Sequence, residues 1–325
     1  MALALTACGT GAVAGEPISV PGAVAGPSSV DTSATTTTAT STTTTSVAAS
    51  KPASPKPATG TARPSPTGFP TAATTGVRPG TALTVVNGDQ TFSTPGAVVE
   101  GKDFHGFVKV TAANITFRNC VFRGRAPGGN AALLDAEHAT NLVVEDSEFA
   151  AANPAATLDG IWAASTSIYR ANVHGTVDGV KADSNVLVQD SYIHDMSWFA
   201  SDPNQGGGET HNDGVQTFAG ESHVTLRHNT IDMSTTKRPN AALQNSTSDT
   251  HVENNYLDGG ACMLNFDHKS VGRPLTGLFV VNNRFGRHSS YQCPIILSTQ
   301  STISQNLGNA WADTGQPIPP PQVHD

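Results

Sequence analysis

Positive charge is scarce in this chain. Lys and Arg number 18 against 26 Asp and Glu, and after residue 76 the balance is 15 to 24, a net of −9. That deficit excludes a nucleic-acid partner, whose binding rests on neutralising phosphates. It also means that an anionic polymer has to be held by local basic residues or a bound cation. Long apolar runs are missing, so no stretch can cross a bilayer as a helix. Cysteine is rare as well: of the 4 present, Cys8 lies at the start, Cys120 stands alone, and only Cys262 and Cys293 occupy comparable positions.

Ala, Thr, Ser, Pro and Gly dominate residues 9–76. Threonine tetrads at 35–38 and 42–45 lead into Lys51-Pro52-Ala53-Ser54-Pro55-Lys56-Pro57. Such a segment cannot bury enough apolar surface to offset its ordering entropy, so it reads as a disordered tether. Ahead of it, Leu5-Thr6-Ala7-Cys8-Gly9 resembles the lipobox of bacterial lipoproteins, in which the cysteine becomes the lipidated first residue. No basic segment precedes it, and its apolar run is shorter than the roughly 7–15 residues an export signal needs, so an upstream start is expected. The resemblance implies an extracellular, cell-surface protein of a bacterium whose membrane contact is a lipid anchor on Cys8. The expected organisation is a truncated signal with lipobox over 1–8, a linker over 9–76 and one domain over 77–325.

That domain repeats a single spelling, typified by His223-Val224-Thr225-Leu226-Arg227-His228-Asn229-Thr230-Ile231-Asp232. Phe117, Val144, Ile168, Val188, Leu226, Val252, Val280 and Ile303 fill its first apolar slot. Three residues on come Cys120, Ser147, Ala171, Ser191, Asn229, Asn255, Asn283 and Asn306. A second apolar slot follows at Phe122, Phe149, Val173, Ile193, Ile231, Leu257 and Phe285, with Gly308 as a weakened last copy. The copies are 27, 24, 20, 38, 26, 28 and 23 residues apart, periods that mark a solenoid. Apolar and polar slots alternate at period two, as a half-buried strand requires. Stacked in register, the asparagines form an internal ladder of side-chain amides. The pattern resembles the right-handed parallel β-helix of the pectin-lyase-like superfamily over roughly residues 80–310. An all-β solenoid of about 8–10 turns behind a disordered tether is expected.

A second short strand follows each ladder strand. Its apolar residue is followed by Trp162, Lys181, Gln216, Gln244, Asn265 and Ser298, which by parity face outward. An aromatic, a cation and amides in a row suit a sugar chain. Asp159, Asp178 and Asp213 each open an Asp-Gly-(Ile/Val) tripeptide, which stacking puts on successive turns. Carboxylates in line repel one another and need a cation, a proton or a hydrogen bond; Asp-Gly is also ordinary turn chemistry. Cys262 and Cys293 precede matching strands, and a disulfide between them is one of two open possibilities.

Two histidines, His174 and His194, follow the second apolar slot on neighbouring turns, and imidazoles beside carboxylates suit proton transfer. The one long excursion, between Val188 and Leu226, carries Trp198, Asp202, Glu209, His211 and Asp213. Loops of this length in compact folds are usually functional. Trp198 suits sugar stacking or mere cover, and the acidic residues with His211 could gather around Ca²⁺, a cation that favours oxygen ligands.

The superfamily resemblance implies a polysaccharide or cell-wall glycan held along the outer face of the coil. His211-Asn212-Asp213-Gly214 faintly resembles the Asn-X-Asp-Gly element of polygalacturonases, but their Gly-His-Gly and Arg-X-Lys elements are absent, as is the arginine-rich pattern of pectate lyases. The leading expectation is a lyase of a uronic-acid polymer, with Lys181, His194 or His211 as base and Asp178 and Asp213 beside it. An inverting hydrolase using two aspartates comes second. In the hydrolase the pair is Asp159 and Asp213, two turns apart; Trp162, His174, Trp198, Gln216, Gln244 and Asn265, with Asp159 in the lyase, would hold the substrate. A non-catalytic glycan- or wall-binding surface protein is the alternative, and a monomer is expected.

Overall fold

The computed structural model describes residues 67–325; the lipobox with Cys8 and the linker as far as residue 66 lie outside them. Among the described residues every strand of the three sheets, which hold 10, 10 and 9 strands, pairs in parallel. Sheet neighbours are three strands apart in the chain, so each turn gives one strand to each sheet. The domain is a parallel β-helix of 10 layers. No helix among these residues is long and apolar enough to cross a membrane.

One turn shows the path. Val186–Gln189 lies in sheet C, Tyr192–His194 in sheet A and Asp213–Thr217 in sheet B, before Ser222–Arg227 returns to sheet C one layer on. Val188, Ile193 and Val215 point inward and are fully buried, as their alternation with polar neighbours dictates. The corner from sheet C to sheet A is made by the residue just before the ladder slot. Asn119, Asp146, Asp190, Asn254 and Asn282 hold that place with φ between 50° and 57°. This is the left-handed region that short polar side chains tolerate best.

The ladder is continuous through the later turns. Asn229, Asn255 and Asn283 are fully buried. The Nδ2 of each donates to the next amide oxygen, at 3.0 Å from Asn229 to Asn255 and from Asn255 to Asn283. It also donates to a backbone carbonyl of the preceding layer, Val188 or Leu226, at 2.9 Å. Ser191 extends the chain of contacts backward, its backbone N–H donating to Asn229 Oδ1 at 2.9 Å. Every polar atom of the stack is thereby satisfied inside an apolar core.

The last copy departs from the sequence reading. The ladder ends on Asn309, which accepts from Asn283 Nδ2 at 3.0 Å, and not on Asn306. Leu278, and not Val280, lies opposite Ile303, and a one-residue shift after it sets Val280 opposite Asn306, so that the pattern is displaced by three residues in all. Gly308, with φ 72°, is the corner residue of that copy and not its apolar slot. The outer column of sheet B also ends differently, since Asn265 lies opposite Ile296 and Ser298 falls beyond it.

The linker boundary at residue 76 needs correction as well. Residues 67–79 form a strap packed along the A–C corner. The Phe69 ring lies 6.1 Å from His228 and 5.8 Å from Tyr256. Gly76 N–H donates to Arg170 O at 2.8 Å, and Arg78 Nη2 donates to Asp146 Oδ2 at 2.6 Å. The strap thus meets later layers before earlier ones, running against the progress of the coil. Composition placed these residues with the tether because they carry no repeat of the coil's spelling; the segment is held by a local turn, with Thr74 and Thr75 N–H donating to Thr71 O, and by its bonds to the coil.

Candidate functional site

Sheet B breaks its inside–outside alternation at one column, and that break builds the site. In Asp159-Gly160-Ile161-Trp162, Gly160 is skipped in the pairing with the preceding strand, and its missing side chain faces the interior. A Cβ there would stand 2.3 Å from Gly179 O and 3.1 Å from Val173 Cγ1. The same place in the next layers is closed to Gly179 by Gly214 O at 2.5 Å and to Gly214 by Ile231 Cγ2 at 2.3 Å. None of the three glycines has a left-handed φ, so they serve close packing and not turn chemistry. Because two inward positions follow each other, the aspartate before them and the residue after the apolar slot both emerge on the outside.

Asp159, Asp178 and Asp213 therefore form one column on three successive layers, beside the column Trp162, Lys181, Gln216. Lys181 Nζ lies 2.7 Å from Asp159 Oδ2 and 3.2 Å from Asp178 Oδ2. Trp162 Nε1 donates to Asp159 Oδ2 at 2.8 Å. The backbone N–H of Asp213 donates to Asp178 Oδ1 at 2.8 Å, and Asn240 Nδ2 donates to Asp213 Oδ1 at 3.0 Å. Further along the Asp column come Cys262 and Cys293, opposite each other and joined by a disulfide with Cα atoms 4.7 Å apart.

All six residues of the two columns line a cleft of about 190 Å³. One wall comes from corners between sheets A and B. Asn130 and Asn204 exchange amide hydrogen bonds of 3.0 and 3.1 Å, tying the loop before Ala131–Ala136 to the short 3₁₀ turn Pro203–Gln205 in the long excursion. The Asp202 carboxylate caps that turn, accepting from Asn204 N–H at 2.8 Å. His211 also lines the cleft.

Three carboxylates stand beside one ammonium that pairs with only two of them, Asp159 and Asp178, and their protonation follows from that shortage. Burial first, and the facing Asp159 second, raise the Asp178 carboxyl above its ordinary range despite Lys181. Burial and then the Asp178 charge raise Asp213 well above it too. For Lys181, burial favours the neutral amine, but Asp178 and Asp159 outweigh it and hold the group charged. The column thus keeps carboxylic acid protons near neutrality next to a locked cation.

Several expected partners lie elsewhere. His174 and His194 are on the outer face of sheet A, with rings stacked at 5.2 Å, and neither lines the cleft. His174 Nε2 is 3.1 Å from Glu148 Oε1, while His194 Nδ1 and Nε2 are engaged by Asp195 and Asn172 at 2.7 and 3.0 Å. The variable corner between sheets A and B separates them from the aspartates, a separation that counting residues cannot reveal. Trp198 carries the Lys237 ammonium 3.5 Å above its ring and stands outside the cleft lining. Gln244 and Asn265 bond each other at 2.7 Å in the layers past Asp213.

Glu209 pairs with Arg238 at 2.7 Å, and the Asp202 carboxylate is taken by the turn it caps. Among the described residues no group of three or more His, Cys, Asp or Glu is arranged to hold a metal ion. Sequence reasoning missed Asn130, Asn204 and Asn240. They come from three separate corners, although Asn240 falls in the same corner position as Asn212 one layer earlier, just before the strand pair that sets Asp213 opposite Ala241.

Fold and site together define a parallel β-helix with an acidic, lysine-clamped cleft on one sheet. Compared with known proteins, the chain matches no family model, no curated protein and no solved structure.

Proposed function

We propose that the protein is a glycan hydrolase of the pectin-lyase-like type, held at a bacterial surface through Cys8, and that the sheet B cleft is its active site. The observation that carries this is the Asp159–Asp178–Asp213 column, in which a single ammonium pairs with the first two carboxylates and Asp213 is left to Asn240. A buried carboxyl that keeps its proton near neutrality is the acid a glycosidic oxygen needs.

In this reading Asp213 donates its proton to the leaving oxygen while Asp159 takes one from the attacking water. The glycosidic C–O bond breaks, a C–O bond to water forms, and both carboxyls reset by exchange with solvent. Two layers separate them, ~9.6 Å at strand spacing, near the upper end of the ~6.5–9.5 Å of inverting pairs. Asp178 and Lys181 hold the charge balance, and the Trp162 indole supplies a face for a sugar ring. Of the three lyase bases, Lys181 is held charged by two carboxylates and His194 is engaged on sheet A, which leaves His211, on the cleft wall, as the base a lyase would use.

The test follows reducing ends and unsaturated products on a panel of neutral, amino-sugar and uronic-acid glycans. Reducing ends with inverted anomeric configuration, lost in Asp213→Asn and in Asp159→Asn, are expected. Ultraviolet-absorbing unsaturated products would overturn the reading in favour of a lyase. Glycan retention with no cleavage on any substrate would make this a binding protein.

A further inference from the structure

The groove on sheet B continues past the aspartates, and Trp162 is its common wall. That residue borders the cleft, a depression of about 170 Å³ toward the B–C corner, and another along the earlier layers. The B–C depression is bounded by Trp162, Phe218, Lys181, Glu137 and Asp183. Phe218 is one of the few large apolar side chains left exposed, at 39%. It projects at the corner with nothing apolar required of it by the core.

The charges around this groove are unevenly committed. Lys181 is shared by Asp159 and Asp178. Lys109, beside the earlier layers, is paired with Asp135. No lysine or arginine lining the three depressions is left over for a ligand carboxylate. Asp183 and Glu137, by contrast, have no ion-pair partner among the described residues. The carboxylate of the third acid of this corner, Glu221, accepts from the Ser184 hydroxyl and has no ion-pair partner among the described residues either. Burial, then Glu221 and Glu137, push the Asp183 carboxyl up to about 6. The corner is short of one positive charge, and two aromatic side chains border the space where it would sit.

Taking sheet B as the sugar-binding face, we infer that the groove takes an amino-sugar polymer, with one protonated amine seated beside Trp162 and Phe218 against Asp183 and Glu137. An ammonium satisfies both features at once, since it pairs with carboxylates and is drawn to the faces of aromatic rings. An acetylated or plain neutral sugar meets only the rings. A uronic acid meets carboxylates with no free cation to hold it.

The experiment uses the whole protein and three oligosaccharides of equal length: fully deacetylated glucosamine, fully acetylated glucosamine and galacturonate. Binding is measured by calorimetry in mildly acidic buffer at low and high salt, with reducing ends followed in parallel. The deacetylated oligomer is expected to bind roughly tenfold tighter than the acetylated one, a difference of ~1.4 kcal/mol, and the gap should narrow as salt screens the charges. In Asp183→Asn with Glu137→Gln the ratio of the two affinities should fall toward one. Equal affinities, a galacturonate preference, or a ratio unchanged in the double variant would each overturn the inference. Tight amine-selective binding without cleavage of any oligomer leaves it standing and removes the hydrolase reading. Cleavage with no amine preference does the reverse.

Discussion

Replacing Asp213 with Asn should make the protein more stable and inactive at once. In the native column Asp213 is either ionised beside Asp178 or protonated at a pH that ionises it in the unfolded chain. The first state costs ~3.5 kcal/mol for two charges at ~4.8 Å and an effective dielectric near 20. The second costs ~4 kcal/mol at neutral pH for a carboxyl whose unfolded value is ~3.9. Lys181 offsets part of either cost, so the amide should gain about 2–3 kcal/mol, roughly 5–10 °C in Tm.

The sign with pH follows from the raised folded values of Asp178 and Asp213. Between the unfolded carboxylate value and those raised values the native state binds more protons than the unfolded chain. Wild-type stability therefore falls as pH climbs through that window. The gain from Asp213→Asn should be small in acid and full above it, while glycan cleavage drops by ~10²–10⁴-fold, the usual loss of a general acid. Thermal unfolding of both proteins across pH, paired with a reducing-end assay, reads both effects. A variant less stable than wild type near neutrality would refute the reasoning and make Asp213 a satisfied structural acceptor of Asn240.

Three further outcomes test the scaffold. Asn255→Ala strands Asn229 N–H and Leu226 C=O in the core and should cost ~3–5 kcal/mol at ~1–3 per orphaned group, read by urea unfolding; a loss under ~1 kcal/mol would show the ladder to be dispensable. Gly214→Ala meets Ile231 Cγ2 at 2.3 Å and should cost ~1–3 kcal/mol by overpacking, less in an Ile231→Ala background that lacks that methyl; an equal cost in both backgrounds would mean that the Ala242 carbonyl, 2.7 Å away, is the contact that resists. Arg78→Ala frees the strap from the buried Asp146 and should speed protease cleavage within residues 67–79 while leaving the coil intact; unchanged cleavage would mean that Phe69 and Gly76 suffice.

The coil was legible because its signal is repeated. A slot that must be apolar in every layer, and an amide that must meet its copy, leave marks that survive the drift of the loops. The Asp column was legible for the same reason. What the repeat cannot carry is the length of each corner as a direction in space. His174 and His194 share turns with the aspartates yet face away from them, because the corner between sheets A and B turns the chain through the angle separating the two faces. Asn130 and Asn204 enter the cleft from such corners, where no periodicity marks them. The last repeat failed in the same way: Leu278 pairs with Ile303 and a one-residue bulge follows, so Val280 faces Asn306 and not Ile303.

The disulfide has a mechanical meaning as well. A solenoid pulled by its ends yields layer by layer, because each layer holds only its neighbours. Tension on the C-terminal end would peel away the chain after Cys293 and then stop. The bond fuses two adjacent layers and hides the 31-residue separation of its cysteines, about 100 Å of contour length, from the pulling force. A thiol reductant would release that length, and a force trace with and without it would show the missing step.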